Sequence, residues 1–151
     1  MKTLATLLAL ALPLGAAAQG IAFRHAGNIA WACGGVGSDE RRALDAMRGE
    51  AQLELLLVTA GRGGYTSGAH VAIASAKGGT AATFDADGPT CLVQAPAGAY
   101  RIEATLNGTT RNATAHAPAR GKPARVVMSF PDEPGDDIRA SAEEKREAAT
   151  P

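Results

Sequence analysis

Three histidines, two cysteines and two glycine-rich segments hold the residue types in this 151-residue chain that could do chemistry. His25, His70 and His116 are scattered, no pair has metal-ligand spacing, and no Cys-x-x-Cys is present. Neither a metal site nor a cofactor is expected. "CGGVGSDE" (33–40) reads as a strand end, a glycine loop and a helix start, the setting of a phosphate cradle. It lacks the third glycine of a dinucleotide fingerprint and the lysine of a P-loop. Asp39 and Glu40 also place negative charge where an anion would sit. The segment therefore reads as a tight turn into a capped helix. No Ser, His and acid arrangement of known pattern appears, so no catalytic residue is assigned. "GRGGYTSG" (61–68) is the natural mobile loop, and it carries Arg62 and Tyr65. Both residue types favour interfaces, and this pair is the candidate partner-binding site.

The elements that position these residues are short strands. In "AGAYRIEATLNGTTRNATA" (97–115), Tyr100, Ile102, Ala104 and Leu106 alternate with Arg101, Glu103 and Thr105. That period of two marks a half-buried strand. Asn107-Gly108 suits a type I′ turn, which needs positive φ at both central residues. The turn sets a register with Leu106 opposite Thr109, Ala104 opposite Arg111, Ile102 opposite Ala113 and Tyr100 opposite Ala115. Arg111 is the one awkward residue on the apolar side. "NIAWAC", "QLELLLV", "AHVAIAS", "TAATF", "TCLVQ" and "ARVVMSF" supply further strands. "QLELLLV" is a nearly continuous apolar run broken only by Glu54, and suits a central strand. "SDERRALDAM" predicts one short helix between the first two strands, with Ser38 as N-cap and Gly49 able to end it. Ala43, Leu44 and Met47 share its apolar face. The sum is an all-β sandwich of seven to eight strands with one short helix.

The ends of the chain read differently. Lys2, an apolar run from Leu4 to Leu14 and the small residues Ala16 to Ala18 form the three-part pattern of a secretory signal peptide over residues 1–18. The run is shorter than the about 20 residues a membrane span requires, so stable insertion is not expected. Residues 19–27 read as an N-terminal arm, 28–130 as the domain, and 131–151 as a disordered acidic tail with net charge −4. The segment 20–130 carries net +3, too little to imply nucleic acid. A leader and two cysteines point to an oxidising compartment and a disulfide between Cys33 and Cys91.

"PAGAYRIEA", after "DADGPTCLVQA" and before an Asn-Gly hairpin, resembles the carboxypeptidase regulatory-like domain, a transthyretin-like sandwich. Ala95 and Ala97 replace the leucine and second proline usual in that motif. "CGGVGSDERRAL" followed by "LELLLV" further resembles small secreted proteins of Gram-negative bacteria that carry this domain alone. The resemblance implies a seven-stranded, non-catalytic module with no catalytic residues to carry over. It points to a secreted, periplasmic protein that binds an envelope protein or peptide. The alternatives are an enzyme of the same fold, such as a hydrolase, and a structural accessory subunit. The transthyretin-like hydroxyisourate hydrolases end in Tyr-Arg-Gly-Ser, which this chain lacks.

Overall fold

The computed structural model of the chain describes residues 20–61, 63–79 and 81–132. The leader read over 1–18, Arg62 and the tail beyond Asp132 lie outside the described residues. The described residues form nine strands: β1 (Arg24–Ala26), β2 (Ile29–Gly34), β3 (Leu53–Thr59), β4 (His70–Ser75), β5 (Ala81–Asp85), β6 (Thr90–Gln94), β7 (Gly98–Leu106), β8 (Thr109–Ala117) and β9 (Ala124–Phe130). Helix α1 (Ser38–Met47) and a single 3₁₀ turn (Arg48–Glu50) stand between β2 and β3. One sheet has the order β1-β2-β6-β3-β9 and the other β5-β4-β7-β8. This is an all-β arrangement of two sheets with one short helix.

Strand alternation divides each sheet into two faces. Ile29, Leu53, Leu55, Leu57, Val93, Met128 and Phe130 from the first sheet meet Val71, Ile73, Phe84, Tyr100 and Ile102 from the second in one buried core. Trp31 of β2 stacks on Phe84 of β5, with ring centroids 4.8 Å apart and planes 10° from parallel. The β7–β8 hairpin has the register that a two-residue Asn-Gly turn dictates, from Leu106↔Thr109 to Tyr100↔Ala115. Asn107 and Gly108 have φ of 49° and 78°. Arg111 is not misplaced on the apolar side: its Nε donates to the Ser129 carbonyl at 2.8 Å, joining β8 to β9 across the sheets.

The motif before β7 also finds its reason. Tyr100 is buried and its hydroxyl donates to the Pro96 carbonyl at 2.8 Å, tying the strand to the turn that feeds it. This is the geometry of a tyrosine corner. Cys33 and Cys91 are directly paired across β2 and β6 and form a disulfide.

Three expectations need correction. The count of seven to eight strands omitted β1, which lies in the segment read as an arm and forms a hairpin with β2. Ser38 is the first helical residue rather than the cap. Gly37 occupies the cap position, and Glu40 reaches back to accept from Gly35 N at 3.0 Å and Val36 N at 2.9 Å. Helix α1 ends at Met47, and Gly49 lies within the 3₁₀ turn that continues it. The turn between β5 and β6 carries the chain from one sheet to the other.

Candidate functional site

The outer face of the five-stranded sheet is apolar along β3, and α1 covers only part of it. Ala32, Leu44, Ala51 and Leu92 form a small second core there, with Ile21, Phe23 and Met47 against it. Leu44 and Met47 reach the sheet because helical spacing puts them on one face. Beyond the helix the same face continues. Register places Leu56 beside Thr90 and Val127, and Val58 beside Ser129 and Tyr65.

At the helix edge of this face lies the molecule's buried charge. Glu54 points outward from β3, 6% exposed, and is the one buried polar or charged residue among the described residues. An ionised carboxylate is held in such a place only by partners. Arg48 Nη2 donates to Glu54 Oε1 at 3.1 Å, and Arg125 Nη2 approaches the same oxygen at 3.5 Å. Arg48 Nη2 also meets Asp45 Oδ1 at 3.1 Å. Arg48 Nε is buried without an acceptor among the described residues, so the cluster is short of one acceptor.

A pocket of about 140 Å³ opens beside this cluster. Glu54, Arg48 and Arg125 form its polar end, and Leu44, Leu56 and Tyr65 line its apolar part. On the other side of the Arg48–Glu54 bridge a second depression of about 570 Å³ includes Gly121, Lys122 and Pro123. Arg48 and Glu54 line both. Tyr65, one of the two candidate partner-binding residues, lines the first pocket, while Arg62 lies outside the described residues. Glu54, Arg48 and Arg125 were not foreseen. Their one signal in the sequence is the lone charge inside the β3 run.

The other chemistry-bearing residues do not converge. His25 is on β1, His70 on β4 and His116 on β8. Among the described residues no group of three His, Cys, Asp or Glu is placed to hold a metal ion. The loop N–H groups that would cradle a phosphate are taken by Glu40. On the outer face of the second sheet, Asp85, His70, Thr105 and Thr110 fall in one cross-strand row. His70 Nδ1 and Asp85 Oδ1 are 2.8 Å apart, and Thr105 and Thr110 share a hydroxyl bond of 2.8 Å. The order acid, imidazole, hydroxyl is suggestive of catalysis. However, His70 and Asp85 are 59% and 76% exposed, so water screens the pair and competes for its hydrogen bonds. The neighbouring depression of about 670 Å³ is floored by Ala72 and Ala74 between exposed Arg101 and Glu103, and contains no buried charge.

No helix among the described residues is long and apolar enough to cross a membrane. Compared with models of known families, with curated proteins and with solved structures, the chain matches none.

Proposed function

We propose that the protein is a non-catalytic binding module of the carboxypeptidase regulatory-like, transthyretin-like type, acting outside the cytoplasm, and periplasmic in a Gram-negative cell. Its partner is an envelope protein or peptide, held on the outer face of the five-stranded sheet. The observation that carries this reading is that the exposed large apolar side chains lie in the lining of the pocket beside Glu54 or next to its lining residues. Val36, Tyr65 and Val127 are the exposed large hydrophobics among the described residues. Tyr65 lines the pocket, Val36 follows Gly35, which lines it, and Val127 is paired with Leu56, which lines it. Scattered single exposures are ordinary, whereas a gathered patch marks an interaction site. The disulfide and the leader pattern at the N-terminus support the compartment.

A photo-crosslinking residue placed at position 65 tests the reading in an envelope extract. The expected result is one predominant adduct, lost when Val127→Lys is added and absent when the crosslinker sits at Thr110 on the opposite sheet. Equal labelling from both positions would contradict it. An adduct of twice the chain's own mass would replace the envelope partner with a second copy.

A further inference from the structure

We propose that the polar end of this groove is a carboxylate site, and that the segment it takes is an extended acidic peptide with an apolar residue about four positions from its acid. The inference rests on the reading of the groove as the partner site and adds the chemistry of the partner. Four cations, Arg41, Arg48, Lys122 and Arg125, border the groove against two carboxylates, Asp45 and Glu54. The surplus of two positive charges is carried by partly exposed side chains, so it acts at short range and weakens with salt. The buried Arg48 Nε adds a donor in want of an acceptor. Guanidinium groups present forked donors that match a carboxylate.

The geometry sets the spacing. Glu54 and Val58 are four residues apart on β3, about 13 Å at the rise of a strand. Val58 is bridged to Tyr65, and Leu56 lies between the two ends. A segment in extended form therefore lays its acid at Arg125 and Lys122 and its apolar side chain at Val58 and Tyr65, passing Leu56 and Val127 between them. The pocket of about 140 Å³ beside Tyr65 has room for one peptide side chain.

Fluorescence anisotropy with a labelled, capped peptide of one leucine, three serines and two aspartates tests the proposal on the full chain. Saturable binding is expected, weakened roughly tenfold when both aspartates become asparagines, since hydrogen bonds to charged groups are the strong ones. Raising salt from about 0.01 M to about 0.15 M should weaken it severalfold, as the screening length falls from about 30 to about 8 Å. Lys122→Gln and Tyr65→Ala, both at exposed positions, should each weaken binding at least about threefold, and Thr114→Ala on the opposite sheet should not. Arg48 and Arg125 are left intact because they hold Glu54. Equal binding of the asparagine peptide, or tighter binding of a peptide with lysines for aspartates, would overturn the proposal. So would preferential binding to vesicles of anionic phospholipid. If position 65 still crosslinks a partner while the acidic peptide fails to bind, the partner site stands and its carboxylate chemistry falls. If both fail, the groove is not the site.

Discussion

Replacing Glu54 with glutamine removes the charge that Arg48 and Arg125 share and leaves the shape of the side chain almost unchanged. The charge-assisted hydrogen bond from Arg48, worth about 1.5–3 kcal/mol when fully desolvated, becomes a neutral one, and the ion pair with Arg125 is lost. Both guanidiniums are substantially exposed, Arg48 at 43% and Arg125 at 57%, so they turn to water and the loss is screened. The Arg125 contact is also the longer one, at 3.5 Å. The carboxylate no longer needs to be desolvated, which offsets a further part. The net cost is about 1–2 kcal/mol, which lowers the melting temperature by roughly 4–8 °C in a domain of this size. Thermal and urea unfolding measure it directly. Combining Glu54→Gln with Arg48→Gln in a double-mutant cycle should return a coupling of about 1 kcal/mol. A melting temperature within about 2 °C of the parent, or a coupling near zero, would refute the assignment of Arg48 and Arg125 as the partners of Glu54.

Three further outcomes are expected. Thiol titration of the denatured, unreduced protein should find no free thiol, and Cys33→Ala with Cys91→Ala should cost about 2–5 kcal/mol by urea unfolding, given the sequence separation of 58 residues. Tyr100→Phe removes the bond to the Pro96 carbonyl and should cost about 1–2 kcal/mol. Burial raises the Tyr100 pKa above its ordinary 10.0, so the hydroxyl's contribution is complete below that pH and is lost as pH rises through the folded value. Stability should therefore fall more steeply above about pH 10 in the parent than in Tyr100→Phe, and parallel curves would contradict this. Gly88→Ala places a methyl group against the backbone of Gly34, where the chain crosses between sheets, and should destabilise by about 1–3 kcal/mol; Gly49→Ala, with open space around it, should not.

The parts legible in the sequence are those decided by neighbours along the chain. The β7–β8 hairpin follows from alternation and an Asn-Gly turn, and its whole register is determined within nineteen residues. Helix α1 was legible from its spacing, though Glu40 rather than Ser38 satisfies the N–H groups around its start. Strand β1 has only three residues and no alternation to announce it. Arg111 looked misplaced because its acceptor, the Ser129 carbonyl, belongs to a strand of the other sheet. The groove was the least legible part. Tyr65 stood out as an aromatic residue among glycines. Arg48, Glu54 and Arg125 meet only because β9 lies parallel beside β3 and the 3₁₀ turn after α1 overhangs both. No local pattern encodes that pairing. Glu54 alone was visible, as a charge interrupting a central strand, and an unexplained charge in a buried run is the signal to follow.

The central claim is that recognition takes place on the outer face of the five-stranded sheet. Titrating isotope-labelled protein with the acidic peptide and following backbone amide shifts tests it most directly. Shifts are expected to be confined to the loop and helix from Gly35 to Arg48, the β3 stretch from Glu54 to Val58, Tyr65, and the segment from Lys122 to Val127. Shifts centred instead on Ala72, Arg101, Asn112 and Thr114, across the outer face of the other sheet, would contradict it.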